Sequence, residues 1–538
     1  NFSSIHAMAS QFIVSGPGLV ATPDISLGRY LYQSLVKHGN RVAAVDAGTG
    51  ETRTFSDILT KSLSVAECLL LRGIRTGDVI GICSENSLDF VLPVLASSYI
   101  GAVCAPLNPS STTRELLHNV NISKPCIIFC SERVLECMDE VVRQARFVKE
   151  IVTFGLPLSH KQTPFVSFLQ DKSCTFQPLD VNYKNRTAAI MCSSGTTGLP
   201  KGVMLTQENI LCTLQYSLNS RLNDVLSGEV ILLVLPFFHS YGFVAQLFAI
   251  NAGTKAVVMH KFEEELFLRS IQNHKVTYLT LVPPLVVFLA KAKVVDEYDL
   301  SSVRVIKCGA APLSEEMETL VRKRLVGLES VTQGYGLTET TLSVTYSPPS
   351  GSKRGSVGML IPGMQCKVVD IETGRNLGPN ERGELCFKGP QIMKGYSGDP
   401  QATRASFDSD GFLHTGDVGY YDEDGFFYIV DRVKELIKYK GYQVPPAELE
   451  AVLLTHPAVK DAGVTGVPDE AAGELPLAFV VKQPEANVTK EELITYVAGQ
   501  VSPQKKLRGG LIFVESIPRT HSGKILRRNL KIMLKSML

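Results

Sequence analysis

The chain carries almost no net charge, no Cys-x-x-Cys pair and no clean apolar run of membrane length, and each absence removes a class of function. Its formal charge is +1 over 538 residues, so no overall field draws it to nucleic acid. Twelve cysteines occur, none in a Cys-x-x-Cys pair. Cys68, Cys83, Cys104, Cys192 and Cys308 stand singly among apolar or small residues, where a reduced thiol acts as a small hydrophobe. That pattern implies a reducing compartment and no structural metal. The Asn-x-Ser/Thr triplets at Asn121, Asn185 and Asn487 carry no weight, because no secretory leader is visible. The uncharged stretch of residues 90–107 contains Pro93, Ser97, Ser98, Gly101 and Pro106. It reads as a buried helix followed by a strand, not as a transmembrane segment. No internal repeat or low-complexity segment interrupts the chain.

At 538 residues the chain exceeds what one hydrophobic core serves, which predicts a large body and at least one further domain. Residues 41–46 and 52–55 read as a hairpin around Ala47-Gly48-Thr49-Gly50. Ser56 is placed to cap a helix in which Leu59, Leu63, Ala66 and Leu70 recur at helical spacing. Strands at 79–83, 102–107, 126–130 and 150–154 alternate with helices, one of them opened by the capping box Thr112-Thr113-Arg114-Glu115. Near-continuous apolar strands between helices predict an α/β fold of helix-covered parallel sheets. From about residue 360 to 430, glycine-rich turns separate short strands at 365–370, 383–388, 411–414 and 426–430, a small β-rich lobe. Residues 1–432 are therefore read as a large N-terminal domain. Residues 433–538, with helices at 447–454 and 490–500 and strands at 478–481 and 511–514, are read as a small α+β C-terminal domain.

The strongest local pattern is Ser193-Ser194-Gly195-Thr196-Thr197-Gly198-Leu199-Pro200-Lys201-Gly202, directly after the apolar run 188–191. Its glycines let successive backbone N–H groups point at one anion, its hydroxyls add donors and Lys201 adds a positive charge. The segment reads as a phosphate-binding loop. It is not a Walker A loop, which needs Gly before the lysine and Ser or Thr after it; here Pro200 and Gly202 flank Lys201.

This segment resembles the signature loop of the adenylate-forming superfamily, which contains acyl- and aryl-CoA synthetases, peptide-synthetase adenylation domains and beetle luciferases. Further motifs follow in the family's order, over nearly the whole chain from Cys83-Ser84-Glu85-Asn86-Ser87 onward. They are Leu235-Pro236-Phe237-Phe238-His239-Ser240-Tyr241-Gly242, Gly309-Ala310-Ala311-Pro312, Gln333-Gly334-Tyr335-Gly336-Leu337-Thr338-Glu339, His414-Thr415-Gly416-Asp417, Asp431-Arg432, Lys438-Tyr439-Lys440-Gly441-Tyr442 and Pro518-Arg519-Thr520-His521-Ser522-Gly523-Lys524. The resemblance implies that ATP and its AMP product are held by Ser193, Ser194, Gly195, Thr196, Thr197, Gly198 and Lys201, by Gly309, Ala310 and Ala311, by Gln333, Gly334, Tyr335, Gly336 and Thr338, and by Asp417 and Arg432. Glu339 is the implied Mg²⁺ ligand, since that ion prefers carboxylate together with water and phosphate. Tyr335 is expected to stack on adenine. Lys524, His239, Lys438 and Lys440 are the implied catalytic residues. Lys524 is suited to bring a flexible point charge to two meeting anions. The small domain is implied to be mobile, with its hinge near Lys434, exchanging the Lys524 face for the Lys438–Lys440 face between two half-reactions.

The implied acid pocket comprises Phe238, His239, Tyr241, Gly309, Gly334 and Leu342. The chain is most similar to the beetle luciferase and insect fatty acyl-CoA synthetase branch. It departs from the luciferases at Phe238, where they carry a first of two histidines, and at Leu342, where they carry a small polar residue. An apolar wall suits an alkyl or cinnamate-like tail better than a polar heterocycle. The second substrate is expected to be CoA: nine Lys or Arg and one acidic residue, Glu515, lie between Lys505 and Lys535. The terminal Ser536-Met537-Leu538 resembles a peroxisomal address with one substitution. Three readings follow. The first is an AMP-forming acyl-CoA synthetase, the second a luciferase-type monooxygenase oxidising its adenylate with O₂. The third is a non-catalytic adenylate binder, which the presence of Lys201, Glu339, Asp417, Arg432 and Lys524 argues against.

Overall fold

The uncharged stretch 90–107 becomes the helix Val91–Ile100 and the strand Val103–Leu107, every residue of both buried. Burying such side chains contributes roughly 1.5–3 kcal/mol each, which is why so apolar a segment sits inside the protein. A computed structural model describes residues 12–19, 22–169, 176–180, 184–193, 200–218, 228–348, 351–440, 442–520 and 523–537. Among the described residues no helix is long and apolar enough to cross a membrane.

The described strands form four sheets. In the first, Thr187–Ser193, Val103–Leu107, Val79–Cys83, Ile127–Cys130, Glu150–Thr153 and Gln162–Pro164 run parallel. Lys201–Thr206 folds back antiparallel on Thr187–Ser193. In the second, Ser330–Tyr335, Val305–Cys308, Tyr278–Leu281, Val230–Leu233, Lys255–Val258 and Val42–Asp46 run parallel. One core joins the two sheets: Ile82 and Phe129 from the first, Ile231 and Val258 from the second, and Leu95 and Leu247 from helices belong to it. This is the α/β arrangement expected of apolar strands alternating with helices. The hairpin around residues 47–50 is present, but the helix after it starts earlier than Ser56 implied. Thr54 is its N-cap, because Asp57 at the third helical position returns the hydrogen bond to Thr54.

The β-rich lobe is a separate antiparallel sheet of Gln365–Val369, Gly383–Lys388, Leu413–Tyr421 and Phe427–Arg432, with Ile13–Ser15 added at one edge. The strand expected at 411–414 runs on through the His414–Asp417 motif to Tyr421. The fourth sheet lies in the C-terminal part and has a core of its own, including Ile437, Leu449, Val464 and Leu493. Its longest strand, Val459–Asp469, had no clear sequence pattern. Asp461, Gly463, Gly466 and Pro468 break the alternation, and the register shifts between Val459 and Asp461.

Candidate active site

Parallel strands deliver their C-terminal ends to one place, and there loops gather side chains around a cleft. In this protein the ends of Val305–Cys308 and Ser330–Tyr335 meet the buried helix Ser240–Ala252 at a cavity of about 1040 Å³, open mouth included. Its walls include His239, Tyr241, Gly309, Gly334, Leu342 and Lys524. Lys524 comes from the C-terminal part, so the cavity is completed across the two parts of the chain.

Nucleotide-type contacts collect beside Lys524. Asp417 is buried and accepts a hydrogen bond from the Tyr335 hydroxyl at 2.7 Å, with the Arg432 guanidinium 3.6 Å away across paired strands. Burial pushes the Asp417 carboxyl up, against the pull of Arg432, Tyr335 and Lys524. Burial also lowers the Lys524 ammonium, helped by Arg432, while Asp417, Glu339 and Glu435 oppose it. The turn carrying Asp417 is fixed by Glu384. One of its oxygens accepts from Gly416 N at 2.8 Å and the other lies 2.8 Å from His414 Nδ1. Glycine is needed there, because Gly416 has φ +72°.

Phosphate-side residues assemble through a tyrosine absent from the expected set. Tyr396 pairs beside the Lys201 strand, its ring lies 4.7 Å from Lys201 Nζ and its hydroxyl lies 3.1 Å from Glu339 Oε1. A carboxylate has about four lone-pair sites, so Glu339 keeps acceptor capacity of the kind a hard cation takes. Lys201 lies in a strand that pairs antiparallel with Thr187–Ser193, in register with Ser193. Ser194, Gly195, Thr196, Thr197 and Gly198 of the glycine-rich segment lie outside the described residues, as do Gly441, His521, Ser522 and Leu538.

The acid side is apolar with one cationic exception. Val244, Ala245, Phe248 and Leu342 supply apolar wall, and Lys307 lies among them. Its Nζ lies 4.0 Å from the Tyr346 ring centroid, and burial pushes its ammonium down to about 7. Among the described residues no carboxylate lies within salt-bridge distance of it. Tyr241 donates its hydroxyl to the Lys307 carbonyl at 3.0 Å, tying the helix to the strand end.

Five expectations change on contact with the structure. Phe238 stands behind the cavity wall, its ring centroid 4.5 Å from that of His239, which lines the cavity. Gln333 is not free to reach a nucleotide, because its amide oxygen accepts from Leu313 N at 3.0 Å and its amide nitrogen donates to Leu313 O at 3.1 Å. It braces the loop that carries Gly309, Ala310 and Ala311. Tyr335 acquires the task of holding Asp417, its ring centroid 5.9 Å from that of Phe387. Lys438 and Lys440 are exposed on the C-terminal sheet and are not brought to the cavity. Ala311 is half-buried and also lies outside the lining set.

Asn86 and Gly336 have supporting roles that no local pattern shows. Buried Asn86 donates to Leu235 O and Met259 O at 3.0 and 3.1 Å and accepts from Phe237 N at 2.8 Å, fixing the approach to His239. Gly336 allows the chain to double back: a Cβ there would stand 1.7 Å from Leu342 O. The return passes through Thr341 and Leu342 at φ +57° and +128°, conformations that side chains rarely adopt and that concentrate at functional sites. Gly336→Ala is expected to displace the Leu342 wall and to cost about 2–4 kcal/mol of stability. Thermal unfolding alongside the KM for the acid measures both effects.

The AMP-binding enzyme family model matches residues 31–397, and the AMP-binding enzyme C-terminal domain model matches residues 448–524. Over 502 residues the chain is 43% identical to luciferin 4-monooxygenase of Nipponoluciola cruciata, spanning 92% of this chain and 91% of that one. Over 527 residues it is 40% identical to 4-coumarate–CoA ligase 3 of Arabidopsis thaliana, spanning 96% and 93%. The structure of ATP-bound MatB from Rhodopseudomonas palustris matches with a TM-score of 0.85 at 27% identity, covering 95% of this chain and 100% of that one. Fold and site thus define a two-part, nucleotide-using class of enzyme. The chain belongs to the adenylate-forming superfamily of AMP-binding enzymes.

Proposed function

We propose that the protein is an AMP-forming acid–CoA ligase acting on a compact aryl acid with a hydrogen-bond acceptor at its far end. Lys307 carries this reading. A lysine on an otherwise apolar wall, without a carboxylate partner, is costly unless something in the cavity uses it. A phenolic or other oxygen on the distal end of an aryl-propenoate would meet its ammonium, whereas a plain fatty chain would leave it unmatched. The similarity to a 4-coumarate–CoA ligase supports the same substrate class.

In the first half-reaction the acid carboxylate attacks the α-phosphorus of ATP and pyrophosphate leaves. Asp417, fixed by Tyr335 and flanked by Arg432, is placed to accept from ribose hydroxyls. Lys524 offsets the negative charge that concentrates where carboxylate and phosphate meet. Lys201 serves the outer phosphates, and the glycines at 309, 334 and 336 leave room for the nucleotide. Glu339 would hold Mg²⁺, which supplies charge neutralisation on the phosphates. In the second half-reaction the small domain turns about residues 433–436 and presents Lys438 and Lys440, and the CoA thiol displaces AMP.

Initial rates with 4-hydroxycinnamate, cinnamate and a C6–C20 fatty-acid series test the acid class. The expected result is the highest kcat/KM for the hydroxylated acid; a best rate on a saturated fatty acid would refute it. The 43% identity to a luciferin 4-monooxygenase favours a second reading, oxidation of a luciferyl-adenylate by O₂. Photon output from luciferin, ATP and Mg²⁺ without CoA tests it directly.

A further inference from the structure

The helix Pro283–Lys291 touches the C-terminal part at both of its ends. At the first turn, Val282 and Pro284 back the turn that carries Lys524. A Cβ on Gly523 would stand 3.3 Å from Val282 Cγ2 and 3.6 Å from Pro284 Cδ. At the last residue, Lys291 Nζ donates to Leu454 O at 2.5 Å and to Val459 O at 3.3 Å. Leu454 belongs to the final turn of the helix Pro446–Thr455, where carbonyls lack intrahelical partners and carry the negative end of the helix dipole. Lys291 is half-buried, and burial lowers its ammonium. These carbonyls are its only hydrogen-bond acceptors among the described residues. The helix itself is firmly seated in the large domain: Val286 and Leu289 are buried, and Arg324 donates to Leu289 O at 3.3 Å.

We infer that Lys291 is a positioning residue for the first half-reaction, a clamp on the end of the Pro446–Thr455 helix that holds the small domain where Lys524 reaches the cavity. The inference rests on the two-half-reaction reading above. A single rigid helix, about 13 Å long for nine residues at 1.5 Å each, then sets the Lys524 turn at one end and the clamp at the other. Both Lys291 contacts reach across the domain boundary, so they must break before Lys438 and Lys440 approach the cavity.

The test is Lys291→Met, which keeps the aliphatic stem and removes the donors, beside Lys291→Arg, which retains donors for carbonyls. Each half-reaction is measured alone: ATP–pyrophosphate exchange for the first, and thioester formation from a synthetic acyl-adenylate and CoA for the second. Tryptic cleavage within residues 433–436 reports small-domain engagement without any chemistry. The expected result for Lys291→Met is about tenfold slower exchange, undiminished thioester formation and faster cleavage, with Lys291→Arg closer to wild type on all three. Equal losses in both half-reactions, or unchanged exchange and cleavage, would overturn the inference. If the wild-type protein exchanges pyrophosphate with none of the acids, the proposed function fails instead, and cleavage decides the clamp: faster in Lys291→Met sustains it, unchanged removes it.

Discussion

Replacing Lys524 with alanine is expected to slow ATP–pyrophosphate exchange by roughly 10²-fold or more while leaving the thermal unfolding temperature unchanged. The expectation rests on where the charge stands. Lys524 lines the cavity between the acid side and the Asp417–Arg432 pair, on a turn fixed by backbone bonds from Thr520 N to Lys524 O at 2.8 Å and from Gly523 N to Thr520 O at 2.9 Å. Among the described residues its ammonium makes no ion pair within 4.0 Å, so no direct salt bridge is lost with it. Removing the side chain therefore removes a charge poised for a substrate and little else. Burial, with Arg432 beside it, lowers this ammonium below the ordinary lysine value. Exchange should accordingly decline at alkaline pH sooner than an unperturbed lysine would dictate, because the protonated form does the work and is lost as pH rises through the lowered pKa. An exchange rate within a few-fold of wild type in Lys524→Ala would remove this residue from the mechanism.

Lys307→Met is expected to stabilise the protein near neutral pH and to erase its preference for acids with a distal acceptor. Burial pushes the Lys307 ammonium down to about 7, whereas an unfolded chain holds the proton up to about 10.4. Between those values the unfolded state binds a proton that the folded state lacks, so wild-type stability rises with pH across that window. At pH 7 and below the penalty is present almost in full; above the unfolded value it has gone. The displacement caps it at about 5 kcal/mol. Methionine fills a similar volume without the charge. Unfolding temperatures at pH 6, 8 and 10 should show a gain for the variant that shrinks as pH rises. KM values for 4-hydroxycinnamate and cinnamate should converge in the variant, by loss on the hydroxylated acid. A constant stability difference across pH, or an unchanged preference, would contradict the role assigned to Lys307.

The parallel α/β body and the short strand and helix signals were legible because they rest on local composition. Val79–Cys83 and the Thr112–Glu115 capping box appear where their patterns place them. Site residues carried by glycine-rich or charged motifs were legible for a similar reason: Asp417, Glu339 and Lys524 sit in short, ordered motifs and do converge. What sequence left hidden is long-range. Asn86 reaches Phe237, 151 positions away, and Tyr396 reaches Glu339 over 57; no local pattern marks either contact. Phe238 was misplaced because His239 is the N-cap of the helix Ser240–Ala252. The chain changes direction there, so His239 lines the cavity while Phe238 packs against the His239 ring. Lys307 did leave a trace. The run Val305-Ile306-Lys307-Cys308 is a parallel strand of the kind covered on both faces, and a lysine in such a strand has to face a partner or a cavity.

The central claim, that this enzyme joins an acid to CoA through an acyl-adenylate, is tested most directly by AMP release from 4-hydroxycinnamate and ATP with and without CoA. The expected result is sustained turnover that requires CoA and yields one thioester for each AMP, with only a single round of adenylate formed in its absence. Sustained AMP release without CoA, accompanied by oxygen uptake and light when luciferin is supplied, would contradict it.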